Sequence, residues 1–443
     1  MSGLLDAYAP VTGEAVVQHL RLLAAGLQGK RVVHVNSTRV GGGVAEILAK
    51  MIPLMQELGL QVDWEVITGE SDFYQCTKSF HNALQGDPVE IPQHLYQAYE
   101  ATNQQNAERL RPLLEQADFV FIHDPQPAMF LKLCPNRRGK WIWRCHIDLS
   151  RPFRPVWKYM ELQVAGYDAS IFSLSSFARS LPHTQYLIPP SIDPLSDKNV
   201  ELEPQEIGAV QEQFGLDPQR PLIVQVSRFD RFKDPLGVIR AYRLAKQLTS
   251  GLQLVLAGGG AADDPEGEAV LAEVSAAAED DPDVHVLLLP PDAHRTINAL
   301  QRAADIVVQK SVKEGFGLTV AEGLWKGKPV IGGNVGGIRL QVVNHHTGFL
   351  VDTPEGAALR IRYLLQDASR MHEMGAKARE FVRKNFLLTR HLRDYLAVMA
   401  ALLRGGEADR IDLARTAIGT VGRSKQVRPA IAGRLRAPSR GAR

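Results

Sequence analysis

The feature that most constrains this chain is an alternation of short apolar runs with longer amphipathic stretches. In its first part the apolar runs lie at residues 31–37, 62–68, 119–124, 141–148 and 169–174. Helical patterns follow at 44–58, 95–115 and 156–165, after an opening that reads as polar. Such alternation predicts βαβ units, in which helices cover a parallel sheet.

A second series of the same kind follows a break in the pattern. Its apolar runs lie at 222–227, 252–257, 284–289, 305–309, 329–331 and 348–351. Between the series, the polar segment from Ile188 to Pro204 contains several prolines and is typical of a linker. A chain of 443 residues is also long for one core. We therefore predict an α/β protein of two doubly wound, Rossmann-like domains, residues 1–195 and 196–384, that face a central cleft.

Composition narrows the class of protein. Hydrophobic residues at 45% and charged residues at 23% are typical of a soluble globular chain, with no run as long as a membrane span and no leader-like start. We expect a cytoplasmic protein without stable membrane insertion. Its three cysteines form no Cys-x-x-Cys pair, which argues against a disulfide or a zinc site.

The net charge of +2 is unevenly distributed. Residues 404–443 contain ten Lys or Arg and three Asp or Glu, so residues 1–403 hold 41 basic and 46 acidic side chains. A mildly acidic body gives no nucleic-acid footprint. The basic segment 404–443 lacks apolar periodicity, and we predict that it is disordered.

The stretch 310–328 carries the most informative motif. Glu314 and Glu322 flank a Gly-Phe-Gly turn at the start of a predicted helix that runs from about Leu318 to Lys326. Free backbone N–H groups at a helix start bind phosphate oxygens, and carboxylates accept hydrogen bonds from hydroxyls. The pattern suits an extended nucleotide sugar, although two solvated glutamates on an ordinary helix would look the same.

Cations and glycines follow other predicted strands. Arg228 and Lys233 come after the first strand of the second domain, where fixed cations would stabilise a leaving diphosphate. Gly42 and Gly43 would allow a diphosphate to approach the backbone, and Gly258 and Leu289 would place backbone groups near a base. At the same strand ends, His146 stands near Asp148 and is either a general base or a positioned hydrogen-bonding group.

Taken together, these motifs resemble the GT-B fold and the retaining glycosyltransferases of family four. The resemblance implies that Arg228 and Lys233 grip the diphosphate and that Glu322 holds the ribose hydroxyls. It implies further donor contacts, with Glu314 and the backbone of Phe316, Gly317 and Leu318 on the sugar and phosphate, and His146 near the sixth carbon. By the same analogy, a helix in residues 385–403 crosses back onto the first domain.

The first domain shows a closer resemblance, to trehalose synthases of the glycosyltransferring type. It rests on the segments 35–46, 64–69, 77–86, 123–127 and 143–148. The implied activity is reversible transfer of glucose from a nucleoside diphosphate glucose to free glucose, which forms trehalose with retention. The polar residues suited to the acceptor are Asn36, His81, Asn82, Gln85, Asp124, Gln126, Arg144 and Asp148.

Several alternatives remain open at this stage. They are phosphorolysis of trehalose by inorganic phosphate, another family-four glucosyltransferase with a small polyol acceptor, a sugar-nucleotide 2-epimerase, and a silent nucleotide-sugar sensor. No Asp-x-Asp motif stands at a strand end, so we expect no required metal ion, with Mg²⁺ acting at most through the nucleotide diphosphate. The base and the oligomeric state, including a homodimer, are left open.

Overall fold

Two parallel β-sheets form the framework of the protein. The computed structural model describes residues 3–40, 42–259, 265–405 and 411–412. The first sheet has seven strands in the order β13-β6-β5-β4-β3-β1-β2, and the second has six in the order β12-β11-β10-β7-β8-β9. Parallel neighbours need crossover connections, and helices supply most of them. The predicted pair of doubly wound domains is therefore confirmed.

The elements of the first domain follow one another closely. Its strands are β1 Arg31–Asn36, β2 Gln61–Val66, β3 Phe119–His123, β4 Lys140–Arg144, β5 Ala169–Phe172 and β6 Thr184–Leu187. Its helices are α1 Ala9–Thr12, α2 Glu14–Ala25, α3 Gly43–Glu57, α4 Ser71–Leu84, α5 Gln93–Gln116, α6 Phe130–Leu133 and α7 Arg154–Val164.

The second domain repeats this plan. Its strands are β7 Leu222–Val226, β8 Gln253–Gly258, β9 Val284–Leu288, β10 Ile306–Gln309, β11 Val330–Gly333 and β12 Gly348–Val351. Its helices are α8 Pro204–Gln213, α9 Pro235–Lys246, α10 Pro265–Ala278, α11 His294–Ala303, α12 Leu318–Trp325, α13 Ile338–Gln341, α14 Pro354–Leu365 and α15 Ala368–Asn385. The chain ends its described part with α16 Leu388–Leu403 and the short strand β13 Ile411–Asp412.

The central strands form because their residues suit a sheet that is buried on both faces. In β7 all five residues are buried, and β3 reads Phe-Val-Phe-Ile-His with the same complete burial. Such continuous runs of β-branched and aromatic residues are typical of parallel strands between two layers of helices. The loops at the carboxyl ends of these strands are therefore the places where functional side chains can reach solvent.

The last helix packs against the first domain. The apolar residues Leu392, Tyr395 and Leu396 of α16 lie in one buried cluster with Val17 and Leu20 of α2. Within the described residues, the chain passes between the domains twice. The two connecting segments, at Ile192 and at Phe386 to Leu388, run side by side. Ile192 N donates to Phe386 O at 2.8 Å, and Leu388 N donates to Ile192 O at 2.9 Å.

Several elements, α2 and β6 among them, were not expected from the sequence. The opening described as polar contains α2, whose apolar residues Val17, Leu20 and Ala24 follow helical spacing and are buried beneath a polar outer face. β6 was missed because only two of its four residues are buried. The predicted disorder of 404–443 concerns residues that lie almost wholly outside the described part. Among the described helices, none is long and apolar enough to cross a membrane.

Candidate active site

The loop between β10 and α12 holds the Glu314 carboxylate against a cation from the loop after β7. Lys233 Nζ donates to Glu314 Oε2 at 2.6 Å, and Ser311 Oγ donates to the same oxygen at 3.3 Å. The two charged side chains are only 18% and 11% exposed. A short, enclosed ion pair of this kind fixes the position of Lys233 at the carboxyl edge of the second sheet.

Backbone contacts hold the two loops together. Gln225 Nε2 donates to Lys233 O at 2.8 Å, and Val312 N donates to Phe232 O at 2.8 Å. Asp230 also accepts a hydrogen bond from Phe232 N at 2.7 Å, which closes the turn that contains Lys233. Lys233 and Glu314 therefore depend on one rigid unit, although 81 residues separate them in the sequence.

The side chain of Arg228 is more exposed than that of Lys233. Its side chain is 63% exposed, and its ion pair is with Asp230 at 3.2 Å. Burial lowers the pKa of His81 in the first domain, and the charges of Arg228 and Lys78 add to the effect. Arg228 thus stands between the two domains, where an anion could bind it without disrupting a buried contact.

Glu322 lies on α12 beside a cavity of about 510 Å³. This cavity lies between α3, the linker and the loop after β9, with Glu46, Lys198 and Asp292 in its wall. Glu322 is 4% exposed, and Lys198 at the rim forms an ion pair with Glu46 at 2.7 Å. Burial raises the pKa of Glu322, while the charges of Lys198 and Lys326 oppose that rise.

The starts of α3 and α12 meet across the cleft. A methyl group added to Gly43 would lie 2.8 Å from Cδ1 of Leu318, so the two helix starts are close enough to touch. Gly42 and Gly317, which precede the two helices, both have a φ of +82°. Because both helices direct free N–H groups toward one region, their dipoles favour a bound anion there.

Other residues predicted for the donor serve mainly to shape the walls. Phe316 is buried against the ring of Phe386 at a centroid distance of 5.5 Å. A methyl group on Gly258 would collide with Ser227 O, so this glycine permits β7 and β8 to end side by side. Leu289 N donates to Gly258 O at 2.8 Å, which leaves only the Leu289 carbonyl for a base.

His146 completes the cleft from the first domain. Its ring contacts His123, with Nε2 of His146 at 3.1 Å from Nδ1 of His123, whereas Asp148 accepts from Ser150 N at 2.8 Å. The backbone oxygen of His146 lies close to Gly315 of the opposite domain. Burial lowers the pKa of His146 well below its ordinary value, with Arg144 and His123 adding to the effect. A ring with so low a pKa is a weak base, so it suits hydrogen bonding to a hydroxyl better than proton abstraction.

The predicted acceptor residues separate into two groups. His81, Asn82 and Gln85 lie at the end of α4, and the His81 ring contacts the Gln85 amide. Arg144 is fully buried and donates to Ile188 O at 2.8 Å and to Ser173 Oγ at 3.3 Å, and its contact with the acceptor stays a prediction. Asn36 is also interior.

Asn36 and Gln126 have structural contacts of their own. Asn36 accepts from Trp64 Nε1 at 2.8 Å and donates to Thr38 O at 2.6 Å, so both the oxygen and the nitrogen of its amide have a protein partner. Gln126 O accepts from Asn103 Nδ2 at 3.0 Å. Asn36 therefore supports the loops at the acceptor side, because polar groups at strand ends satisfy the backbone of the turns. The side-chain Oε1 of Gln126 is buried without a hydrogen-bond partner among the described residues.

Asp124 connects the acceptor side to His146. It has a φ of +62°, and its Oδ1 accepts from His146 N at 2.7 Å. Burial raises its pKa to about 6, against the opposing effects of the hydrogen bond from His146 N and the charge of Arg144. The carboxyl is thus held as a backbone acceptor in a position where its ionisation costs free energy.

Replacing Asp124 by asparagine should stabilise the protein near neutral pH. In the wild type the folded state holds the proton that the unfolded state loses between about pH 4 and 6, so the free energy of unfolding falls as pH rises through that range. Asp124→Asn keeps the acceptor and tolerates a positive φ. We expect a gain of about 1–2 kcal/mol at pH 7.5, measured by urea unfolding, and none at pH 4. An equal effect at both pH values would contradict the raised pKa.

Sequence reasoning missed several residues of this site. Lys198 lies in the predicted linker, and Ser311 and Lys326 belong to the central motif without having been given a role. Lys326 is buried, and that burial lowers its pKa to about 7. A charged residue in a proline-bearing linker between two domains was the available signal for Lys198, because such linkers run along the cleft.

Comparisons with known proteins agree with this geometry. The model of the trehalose synthase N-terminal domain matches residues 34–179, and that of glycosyl transferases group 1 matches residues 207–381. The chain is 44% identical to the trehalose synthase of Pyrococcus horikoshii over 402 residues, which are 90% of this chain and 96% of that protein.

The chain has two more distant similarities, to a trehalose phosphorylase and to a sucrose-phosphate synthase. It is 29% identical to the trehalose phosphorylase of Pleurotus pulmonarius over 406 residues, 80% of this chain and 55% of that protein. The structure of sucrose-phosphate synthase from Thermosynechococcus elongatus superposes with a TM-score of 0.66 at 17% identity and covers 85% of this chain and all of its own.

Two facing doubly wound domains with this cleft define a GT-B fold, and the match to glycosyl transferases group 1 identifies a glycosyltransferase. Both family models fall on their expected halves of the chain. The chain belongs to the trehalose synthase family.

Proposed function

We propose that this enzyme transfers glucose from a nucleoside diphosphate glucose to free glucose and forms trehalose with retention at the anomeric carbon. The observation that carries the proposal is the convergence of Lys233, Glu314 and the Glu322 cavity on one side of a cleft that His146 closes from the other. These groups match the parts of a donor, with the Glu322 cavity for the ribose, Lys233 for the diphosphate, and Glu314 and His146 for the sugar.

In the proposed reaction a hydroxyl oxygen of the acceptor bonds to the anomeric carbon on the face that the phosphate leaves. The bond between that carbon and the phosphate oxygen breaks, and the acceptor proton passes to a leaving phosphate oxygen. Lys233, Arg228 and the N–H groups at the start of α12 stabilise the charge that develops there. Closure of the two domains excludes water, which would otherwise hydrolyse the donor.

The direct test mixes the purified protein with glucose and, separately, the glucose conjugates of UDP, ADP and GDP. We expect a non-reducing disaccharide that NMR identifies as trehalose, with both anomeric carbons in the α configuration. A parallel reaction in EDTA tests the proposal that no resident metal ion is needed. Among the described residues, no group of three or more His, Cys, Asp or Glu could hold one. Failure with all three donors would refute the assignment.

Phosphorolysis of trehalose is the second candidate, because the similarity to the Pleurotus enzyme extends over 406 residues. Inorganic phosphate has no ribose, however, and would leave the Glu322 cavity without a ligand. Incubating trehalose with either UDP or phosphate and measuring the released glucose separates the two reactions. Release with phosphate alone would favour the phosphorylase. Conversion of the donor in the absence of glucose would instead indicate an epimerase.

A further inference from the structure

Three histidines form a chain from the cleft into the core of the first domain. Nε2 of His146 lies 3.1 Å from Nδ1 of His123, and Nε2 of His123 lies 3.0 Å from Nδ1 of His34. His34 is fully buried, and its ring stacks on Phe121 at a centroid distance of 4.8 Å. The reaction as proposed uses only the first of these rings.

The inner end of the chain determines which nitrogens carry protons. Nε2 of His34 is buried without a hydrogen-bond partner among the residues that the structure describes. An orphaned N–H in such a place is less favourable than a bare lone pair. We therefore assign the proton of His34 to Nδ1, from which it is donated to Nε2 of His123.

The remaining protons follow from neutrality. Burial lowers the pKa of all three rings, and the charge of Arg144 acts in the same direction on His123 and His146. A neutral His123 that accepts at Nε2 carries its proton on Nδ1 and donates it to Nε2 of His146. His146 then holds its own proton on Nδ1.

We propose that His34 and His123 are positioning residues that fix the tautomer of His146, so that the Nδ1–H of His146 donates into the cleft. The hydrogen bond of His146 Nε2 to His123 leaves Nδ1 as the ring nitrogen with no protein partner in the described structure. Its use as a donor to a sugar hydroxyl rests on the proposed function. The tautomer itself does not depend on any substrate.

The groups around the three histidines are consistent with neutral rings. His391 packs on Tyr395, and its Nδ1 lies 3.1 Å from Pro189 O, so it makes its contact outside the chain. Arg144 is the nearby cation, and its hydrogen bonds go to Ser173 and Ile188. No carboxylate contacts the three rings within the described residues, so nothing there stabilises an imidazolium.

The first experiment reads the tautomers in the ligand-free full chain. Histidine labelled with ¹⁵N is observed in long-range ¹H–¹⁵N correlation spectra at about pH 7.5, with signals assigned through His34→Asn and His146→Asn. The expected result is a protonated Nδ1 and a bare Nε2 on both His34 and His146. A protonated Nε2 on either ring, or a charged His146, would overturn the proposal whatever the reaction proves to be.

The second experiment removes the inner donor. His34→Leu should lower kcat about tenfold, and His34→Asn, which places an amide N–H near the former Nδ1, should restore most of it. His183→Leu is the matched control, because His183 is a first-domain histidine that contacts Ser170 and Ala165 instead of the chain. With a 6-deoxyglucose donor the His34→Leu penalty should disappear. An equal loss of kcat with the glucose donor and the 6-deoxyglucose donor would show that His34 has only a structural role. It would refute the positioning of His146 toward the 6-hydroxyl of the donor sugar.

Discussion

Replacing Lys233 by alanine is expected to lower kcat by at least about 10²-fold, because the leaving diphosphate loses its most firmly held cation. Removing one fixed charge-stabilising donor typically costs about 2.7–4 kcal/mol of transition-state free energy. Lys233 is held by Glu314 and by the closed turn beneath it. It therefore needs little rearrangement when negative charge develops on the leaving diphosphate. Steady-state kinetics with saturating donor and glucose measure the effect.

The same turn provides the control. Arg231 precedes Lys233 by two residues, but it points away from the cleft to an exposed ion pair with Glu273 at 3.3 Å. Arg231→Ala should leave kcat within about twofold, since an exposed pair contributes little. Arg228→Ala should resemble Lys233→Ala. Unchanged turnover in both cleft variants would remove them from the mechanism.

Replacing Glu322 by glutamine is expected to weaken binding of the nucleoside diphosphate about 30-fold. Two hydrogen bonds from ribose hydroxyls to a charged carboxylate would become neutral ones, at a loss of about 1 kcal/mol each. Isothermal titration at about pH 8 measures the dissociation constant, since burial raises the pKa of Glu322 and the wild-type carboxyl must be ionised.

Binding of inorganic pyrophosphate distinguishes the role predicted for Glu322 from the role predicted for Lys233. It has no ribose, so Glu322→Gln should bind it like the wild type, whereas Lys233→Ala should bind both ligands more weakly. If Glu322→Gln weakened pyrophosphate and nucleotide equally, the carboxylate would act on the phosphates or on the fold, and the ribose assignment would fail.

The sequence predicts the two sheets of this protein well because each strand has its own local pattern of apolar residues. Buried parallel strands such as β3 and β7 are continuous apolar runs, and their positions were predicted to within two residues. The helix α2 has helical spacing at Val17, Leu20 and Ala24, but the surface that buries these residues belongs to α16, more than 350 residues later. Packing partners at that separation leave no local signal.

The site was predictable only in part, for a similar reason. Glu314 and Glu322 stand beside glycines in the motif that follows β10, and Arg228 comes two residues after the end of β7, which marks them as candidates. Arg144 has the same placement at the end of β4, yet its side chain turns inward and is fully buried. The direction of a side chain at a strand end depends on the layer above it, which the sequence of the strand does not specify. The links between His34, His123 and His146 are likewise visible only in three dimensions.

The return of α16 to the first domain also bears on how the protein is made. Leu388, Leu392 and Leu396 complete an apolar cluster whose other members begin at Leu5. A domain normally folds as the ribosome releases it. Here the N-terminal half cannot acquire its full interior until about residue 403 has left the exit tunnel, so nascent chains should stay open to chaperones until α16 has emerged.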